Sequence, residues 1–375
     1  MRWMGWLIGL VLSLFAIGSP VWAMEQSTVE WAAPAEVPEF QKAKAPMKLS
    51  FPKDFGPHED YQTEWWYYTG NLETDSGRLF GYELTLFRRG LTPGLPEQQG
   101  SAWRSNQVYF SHFTLSDIQN QNFYPVERFD RGAAGLAGAQ ASPYRLWLDD
   151  WSIEEDQSGQ IQLHAQGPET ELNLELSMTK PVLHGNNGFI IRGTELGNAS
   201  YYYSIIQQPT QGNVTVQKET FTVSGSSWTD HEFATKPLSQ ETQGWDWFSL
   251  QLDNGSALML CGLRSLDGSD LPESNGTYIS PDGKVVHLNQ EDYQIQVLDW
   301  WTSSKSRTQY PAKWTIAIPS LDLEMQVSPM MNNQELLVST IYWEGAVGVS
   351  GTQAQQSING KGYVELTGYD RNLSL

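Results

Sequence analysis

Short runs of aromatic and β-branched residues recur along the chain, separated by turns rich in Gly, Asn, Asp and Pro. Several runs alternate apolar and polar positions, among them IQLHAQ (161–166), ELNLELSM (171–178) and LEMQV (323–327). A period of two is typical of a strand with one buried face, and closely spaced strands favour antiparallel sheets over strand–helix units. No long segment carries the capped pattern of a helix. The sequence therefore predicts an all-β fold, a sandwich or barrel with little helix.

Two segments of the chain follow the same plan. Residues 64–88 place a tryptophan-rich strand before a DSG turn and an alternating strand that ends in Arg. Residues 245–264 repeat this order around a DNG turn. Gly accepts a positive φ, so both turns are good hairpin signals. A matching hairpin early in each half favours two copies of one barrel, and the general likeness of all β-hairpins is the alternative.

Near the start of the chain an apolar run from Trp3 to Ile17 follows the single charge of Arg2, and Val21 to Ala23 offers small residues around a cleavage site. Such a run is too short to span a bilayer comfortably and is typical of a secretory signal peptide. We expect residues 1–23 to be removed and the protein to be exported, periplasmic or secreted, with no integral membrane segment. A retained anchor is the alternative.

The remaining length exceeds what a single hydrophobic core usually organises, so we expect two domains. The segment 24–48 is rich in Ala, Pro and Glu without periodicity, and we predict a flexible lead-in there. An N-terminal barrel domain is expected over 49–232 and a C-terminal barrel domain over 233–375. Loop residues between Val223 and Trp245 favour a boundary in that region.

Charge and cysteine content restrict the classes of function. A formal net charge of −20 repels phosphate backbones and anionic lipid, so nucleic acid is excluded as a partner. Cys261 is the only cysteine, which excludes an intramolecular disulfide, and its apolar neighbours indicate a buried thiol. Aromatic residues make up 12% of the chain and suit either two β cores or the walls around an apolar ligand.

An ordered set of motifs extends through nearly the whole chain. The motifs are HEDYQTEWWYYTG (58–70), YFSHFTLSD (109–117), GNNGFIIRG (185–193), SSWTDHEF (226–233), GWDWFSLQLDNGSALML (244–260) and YWEGAVGVSG (342–351). In this order they resemble the AttH/CrtC-like family. The resemblance implies two lipocalin-like (calycin-type) antiparallel β-barrels in tandem, usually in exported bacterial proteins called predicted secreted hydrolases. Its relatives include carotenoid hydratases and a fungal phytoalexin hydratase, which add water to an apolar isoprenoid.

The hydratase pattern that the resemblance implies is incomplete in this chain. It has an essential His followed two residues later by Trp, and a Tyr-x-Asp pair on a following strand. Here His231 is followed by Phe233, and the comparable strand reads Leu258-Met259-Leu260-Cys261, without an acid. This departure counts against carotenoid hydration itself, and Asp230 or Asp246 would have to replace the missing acid.

Alkene hydration needs a proton donor, a group that stabilises a cation, and a positioned water inside an apolar pocket. Carboxyl or imidazolium groups supply protons, and aromatic faces stabilise cations. Burial of a carboxyl among tryptophans raises its pKa and keeps it protonated near neutrality. The predicted catalytic residues are Asp230, His231 and Asp246. The predicted substrate-binding residues are Trp228, Trp245, Trp247, Trp65, Trp66, His112, Tyr342 and Trp343. The alternative is structural: such acids often cap backbone amides, and such histidines often bond backbone carbonyls.

A second polar cluster, His58, Glu59, Asp60 and Glu64, precedes the first tryptophans. One His with scattered carboxylates is a weak zinc signal, so we expect no metal and no cofactor, and acids that are solvated or paired with Arg88 or Arg89. The chain has no Gly-x-Ser-x-Gly elbow, phosphate-binding loop or GxGxxG after a strand.

The expected ligand is a hydrophobic isoprenoid- or lipid-like small molecule. Three functions remain open: an enzyme that hydrates or hydrolyses this molecule, a non-catalytic lipocalin-type carrier, and an interaction domain of an exported complex.

Overall fold

The computed structural model describes residues 39–94 and 101–370. The regular structure of these residues is almost entirely antiparallel strand in two large sheets. Their helical structure consists of three short 3-10 turns: Lys53–Phe55, Gln290–Asp292 and Pro319–Leu321. No helix in these ranges has the length and apolar content to cross a membrane. The predicted signal peptide lies outside the described residues.

The first sheet has thirteen strands. They are β1 (Thr63–Glu73), β2 (Leu79–Gly90), β3 (Gln107–Asp117), β4 (Asn122–Arg131), β5 (Ala137–Ala141), β6 (Tyr144–Leu148), β7 (Trp151–Glu155), β8 (Ile161–Gln166), β9 (Thr170–Leu176), β10 (Pro181–Leu183), β11 (Phe189–Ile191), β12 (Ala199–Val216) and β13 (Glu219–Lys236). The main path runs β4-β3-β2-β1-β13-β12-β9-β8-β7-β6-β5, and β10 and β11 pair with β12.

The second sheet has ten strands. They are β14 (Thr242–Leu252), β15 (Ala257–Ser265), β16 (Asn275–Ile279), β17 (Val285–Asn289), β18 (Gln294–Thr302), β19 (Gln309–Ile318), β20 (Leu323–Pro329), β21 (Glu335–Leu337), β22 (Ile341–Gln353) and β23 (Gln356–Leu366). The path runs β17-β16-β15-β14-β23-β22-β20-β19-β18, with β21 paired to β22.

Each sheet curls around a core of its own. Phe113 on β3 and Trp151 on β7 lie far apart in the strand order, yet both belong to the core of the first sheet, and their rings meet edge to face. Phe248 on β14 and Trp314 on β19 meet in the same way inside the second sheet. Distant strands can share a core only if the sheet bends back on itself. The predicted fold class, all-β with two barrel-like antiparallel sheets in tandem, is confirmed.

The two hairpins anticipated from the sequence occupy the same place in both sheets. β1 and β2 join at Gly77, with φ 81°, and β14 and β15 join at Gly255, with φ 85°. In each case the first strand pairs with the second strand on one side and with the last strand of its sheet on the other. This repeated arrangement supports duplication of one barrel.

The chain passes from the first sheet to the second between Lys236 and Thr242. The predicted boundary after residue 232 falls inside β13, and the division into two independent domains stays a prediction. The described end of the predicted lead-in packs on the first sheet, since Ala43 is fully buried and Tyr201 donates its hydroxyl to the Ala45 carbonyl, 2.9 Å away.

The two sheets pack against each other by their outer faces. Neighbouring residues of β13 point to opposite sides, so His231 faces the interior of the first sheet and Asp230 faces the second sheet. A third hydrophobic cluster, built from both sheets, fills the space between the outer faces. We call this region the inter-sheet layer. Its main members are Tyr67, Glu83, Tyr202, Trp228, Asp230, Trp247, Met259, Cys261, Glu344, Tyr363 and Glu365.

Candidate functional site

Three of the predicted site residues come together in the inter-sheet layer. The Trp247 indole N–H donates to the Tyr202 hydroxyl at 3.0 Å, and that hydroxyl donates to Oδ1 of Asp230 at 2.7 Å. The Trp228 and Trp247 rings lie edge to face with centroids 6.5 Å apart. Trp65 packs at the margin of the same cluster. Asp230 therefore lies among tryptophans, as the sequence predicts for the candidate acid.

The Asp230 carboxyl is buried, with 2% of the residue exposed. Its Oδ2 atom has no hydrogen-bond partner among the described residues, and neither has the nearby Trp228 Nε1. Burial raises the pKa of Asp230 to about 7, although Ser204, Tyr202 and the Trp228 indole, which approaches the carboxyl without a hydrogen bond of ordinary geometry, act in the opposite direction. Asp230 therefore holds a proton for much of the time near neutral pH, and its Oδ2 atom accepts no hydrogen bond of ordinary geometry from the described residues.

Asp230 also belongs to a buried chain of hydrogen bonds that crosses to the second sheet. Ser204 donates to Oδ1 of Asp230, and the Ser204 hydroxyl lies 2.6 Å from Nε2 of His184. Nδ1 of His184 lies 2.9 Å from the Thr277 hydroxyl on β16. Burial, with the nearby His287 and Arg192, holds the pKa of His184 well below its usual value. In a hydrolase triad the His lies between the Ser and the Asp. Here Ser204 lies between Asp230 and His184, so these residues do not form such a triad.

Further acidic side chains are buried in the inter-sheet layer. Tyr67 donates to Oε2 of Glu344 at 2.7 Å, and Trp245 donates its indole N–H to Glu365 at 2.9 Å. Burial and then the charge of Glu365 raise the pKa of Glu344 well above its usual value, and burial raises the pKa of Glu365 to about 7. Glu83 is fully buried and its pKa is raised in the same way. These side chains favour their acid forms.

Asp246 and Trp343 do not join Asp230. Asp246 receives hydrogen bonds of 3.0 Å from Arg264 Nε and from the Tyr369 hydroxyl. Burial raises the pKa of Asp246 above its usual value, although the charge of Arg264 acts in the opposite direction. Trp343 lies in the core of the second sheet and donates its indole N–H to the Asn332 carbonyl at 2.8 Å.

His112 and Tyr342 meet across the two sheets, away from the Asp230 hydrogen-bond chain. Nδ1 of His112 lies 2.5 Å from the Tyr342 hydroxyl, and Nε2 lies 3.1 Å from Oε1 of Glu127. Cys261 also lies between the sheets, where Arg192 donates to its sulfur at 3.3 Å. The thiol is buried, as the sequence indicates, and burial raises the pKa of Cys261 to about 11.

His231 belongs to a different site, inside the first sheet. Its ring stacks on Trp66 at 4.7 Å and lines a cavity there. Its Nε2 lies 2.8 Å from Oε1 of Glu64, and its Nδ1 lies 2.7 Å from the Tyr203 hydroxyl. Burial lowers the pKa of His231 despite the neighbouring Glu64, so the ring is mainly neutral near pH 7. Asp230 and His231 are adjacent in sequence but do not form one site.

Glu64 is the centre of a fully buried ionic network. Arg88 Nε donates to Oε2 of Glu64 at 2.8 Å, and His58 Nδ1 lies 2.8 Å from Oε1. Burial would raise the pKa of Glu64, but the charge of Arg88 and the two imidazoles hold it well below the usual value. The pairing expected for the acidic residues near His58 is thus realised between Glu64 and Arg88.

The ligand-type atoms of His58, Glu64 and His231 lie within 4.8 Å of one another, which is a spacing that a metal ion could use. Zinc sites with two His and one Glu are well known. However, both imidazoles already hydrogen-bond to Glu64, and the buried Arg88 guanidinium supplies the cation. The residues therefore fit an ionic network better than a metal centre.

Two curled antiparallel sheets, each with its own core, define a protein of the lipocalin-like class. The model of the AttH-like family matches residues 42–369, and the chain belongs to this family. The chain is similar to a protein of Nitrosomonas europaea whose crystal structure is described as that of an AttH. The two share 30% sequence identity with a TM-score of 0.78, and the match covers 88% of this chain and 99% of that one. No curated protein has a significantly similar sequence.

Two further solved structures share the fold at low identity. Kievitone hydratase from Nectria haematococca has a TM-score of 0.66 at 13% identity, covering 89% of this chain and 98% of that one. CghA with Sch210972 has a TM-score of 0.51 at 11% identity, covering 90% of this chain and 96% of that one. At these identities the similarity establishes the fold alone.

Proposed function

We propose that this chain is an acid catalyst of the hydratase type, which adds water to a carbon–carbon double bond of an apolar small molecule at Asp230. The observation that carries the proposal is the state of the Asp230 carboxyl. It is buried beside Trp228 and Trp247, one of its oxygens has no partner in the described part of the chain, and burial raises its pKa to about 7. Such a carboxyl is suited to donate a proton near neutral pH.

The reaction balances with Asp230 as the only acid–base group. The carboxyl gives its proton to one alkene carbon, and the π electrons form the new C–H bond. The other carbon becomes a cation that the neighbouring aromatic rings stabilise. The oxygen of a water molecule then bonds to this carbon and releases a proton to the Asp230 carboxylate. Asp230 thereby recovers its acid form, and an alcohol is the product.

The side chains packed in the inter-sheet layer with Asp230 suit an apolar substrate. Tyr67, Trp247 and Met259 are among the apolar side chains of the layer, and they suit an isoprenoid- or lipid-like molecule. The name of one structural neighbour, kievitone hydratase, is consistent with the same reaction class. Because Asp230 is almost fully covered, the substrate can reach it only when the two sheets move apart locally.

Two accompanying expectations belong to the proposal. We propose export through the N-terminal segment 1–23, which mass measurement of the N-terminus from cell fractions would test. A non-catalytic carrier of an apolar ligand is the alternative function. Extraction of the purified protein followed by mass spectrometry would reveal a bound apolar molecule in either case.

The test is label incorporation in ¹⁸O-water. Purified protein is incubated with linear polyenes and prenylated phenols, and alcohols that gain the label are measured by mass spectrometry. We expect Asp230→Asn to lose at least about a hundredfold in rate, the usual range for removal of a general acid. Glu365→Gln changes a partly buried acid of the same layer whose pKa is also raised to about 7, and this matched control should keep the activity. Full activity in Asp230→Asn, or loss in Glu365→Gln alone, contradicts the assignment.

A further inference from the structure

The hydrogen-bond chain that begins at Asp230 crosses the whole inter-sheet layer. Ser204 donates its hydroxyl proton to Oδ1 of Asp230, and the Ser204 hydroxyl lies 2.6 Å from Nε2 of His184. Nδ1 of His184 lies 2.9 Å from the hydroxyl of Thr277 on β16. Ser204, His184 and Thr277 have no exposed surface. The chain therefore joins Asp230 to the second sheet through the interior of the protein.

The donor and acceptor capacities of these groups give the chain one direction. An ionised carboxylate only accepts hydrogen bonds, so the Ser204 hydroxyl donates to Asp230 and accepts from His184. Burial holds the pKa of His184 well below its usual value, so its ring is neutral and has one donor and one acceptor nitrogen. Nε2 is then the donor, and Nδ1 accepts from the Thr277 hydroxyl. Each donated proton thus points toward Asp230.

The outer end of the chain lies beside the protein surface. Thr277 on β16 is directly opposite His287 on β17. Directly opposite residues of an antiparallel pair share a face, and their Cβ atoms lie about 5 Å apart. His287 is exposed to solvent, and its charge contributes to the low pKa of His184. An imidazole that exchanges protons with water therefore stands beside the last buried hydroxyl of the chain.

The other hydrogen-bond branch at Oδ1 of Asp230 ends inside the protein. Tyr202 donates to Asp230 at 2.7 Å, and its hydroxyl accepts from the Trp247 indole at 3.0 Å. Both residues are buried. An indole N–H donates a hydrogen bond but accepts none, so a proton cannot pass beyond Trp247. Of the two branches, the one through Ser204 can exchange a proton with water.

We propose that His184, with Ser204 and Thr277, is a proton relay that equilibrates the Asp230 carboxyl with solvent while the inter-sheet layer stays closed. A solvent proton bonds to the Thr277 oxygen, whose own hydroxyl proton moves to Nδ1 of His184. The Nε2 proton of His184 moves to Ser204, and the Ser204 proton moves to Oδ1 of Asp230. Each relay residue receives one proton and gives one, so a single solvent proton converts the carboxylate to the acid. The reverse sequence returns a proton to solvent and restores the His184 tautomer.

The purpose of the relay rests on the proposed function. Hydration consumes no net proton, but Asp230 must begin each cycle in its acid form. An apolar substrate that covers the carboxyl excludes water from it. The buried hydrogen-bond chain supplies the proton without admitting water to the layer. His184 thus acts through Asp230 and is a positioning residue for the proton.

The test measures hydrogen–deuterium exchange of the Asp230 carboxyl by infrared spectroscopy, which requires no turnover. The full chain is mixed rapidly with D₂O at about pH 6, below the pKa of about 7 of both Asp230 and Glu365. The isotope shift of each carboxyl C=O band is timed. Asp230→Asn and Glu365→Gln assign the two bands. Glu365 receives its hydrogen bond from Trp245, outside the relay, and is the internal control.

We expect Thr277→Val and His184→Asn to slow exchange of the Asp230 band at least about tenfold, because exchange must then wait for a local opening of the layer. The Glu365 band should keep its rate. Thr277→Ser retains the hydroxyl and is the matched control, which should exchange as fast as the wild type. Circular dichroism checks folding, and the two Thr277 variants decide the matter if His184→Asn does not fold.

An unchanged rate of the Asp230 band in Thr277→Val overturns the relay. An equal slowing of the Asp230 and Glu365 bands overturns it as well, because the variant then alters the opening of the layer as a whole. The proposed function fails separately: full hydration activity in Asp230→Asn would refute it and leave the exchange result untouched.

Discussion

At the scale of single residues, the burial of Glu64 and Arg88 is the feature with the largest expected effect on stability. The two residues face each other across the first hairpin and neither is exposed to solvent. Breaking a buried ion pair by removing one partner leaves an uncompensated charge inside the protein. His58 and His231 then also lose the carboxylate that accepts their hydrogen bonds.

We therefore expect Glu64→Gln to reduce the free energy of unfolding by about 3–5 kcal/mol, measured by urea denaturation. Glu73→Gln is the matched control, because Glu73 pairs with Lys361 at 3.2 Å on the surface, where both side chains are nearly half exposed. That substitution should change the free energy by less than about 1 kcal/mol. Equal losses in the two variants would show that the buried network does not hold the first barrel together.

At the scale of elements, a close approach between the two sheets depends on a glycine. Gly81 on β2 lies against β22, and a Cβ at this position would be 2.6 Å from the Cβ of Ala346. Real Cβ atoms do not approach so closely, so the strands can meet here only because one of the two side chains is absent. The docking of the hairpin on the second sheet thus requires a small residue at position 81.

Gly81→Ala should destabilise the protein by about 1–3 kcal/mol through overpacking. The exchange Gly81→Ala with Ala346→Gly should recover most of the loss, because the single Cβ is then supplied from the other strand. Thermal unfolding of the wild type, of Gly81→Ala and of the double variant provides the measurement. If the double variant is no more stable than Gly81→Ala, the contact with Ala346 is not the cause of the destabilisation.

At the scale of the whole molecule, the acids between the two sheets couple stability to pH. The pKa values of Asp230, Glu83, Glu344 and Glu365 are raised, mainly by burial, so the folded state binds protons more tightly than the unfolded state. Their stabilising contribution is complete below the unfolded pKa of about 4 and decreases as the pH rises through the folded pKa. For Asp230 and Glu365 this decrease is spread up to about pH 7.

We expect the free energy of unfolding to fall between pH 5 and pH 8, as measured by urea titration at several pH values. The raised pKa of His58 acts in the same direction, and the lowered pKa of Glu64 affects only more acidic conditions. The lowered pKa values of His184 and His231 oppose the fall up to about pH 6.5, and the four acids between the sheets outnumber them. Asp230→Asn removes one titrating group and should flatten the curve by up to about 1.4 kcal/mol per pH unit. A curve as steep in this variant as in the wild type would mean that Asp230 does not titrate in this range.

Part of the site follows from local sequence alone. The alternation of strand residues already requires that Asp230 share a face with Trp228 and not with His231, because neighbouring side chains point to opposite sides. The partner of Glu64 also follows from the hairpin, since a turn at Gly77 places Glu64 opposite Arg88. The prediction that Asp230 and His231 act in one site does not agree with this alternation.

The amino-acid sequence by itself determined the fold class, the two equivalent hairpins and the burial of acids among tryptophans, because these features depend on period-two alternation and on turn residues close together in the chain. Only the tertiary structure decided which strands meet across the two sheets. The contact of Glu64 with His231 joins residues 167 positions apart, and the approach of His184 to Thr277 joins residues 93 apart. Such contacts depend on how the sheets curl and on how their outer faces pack, and these are properties of many side chains acting together.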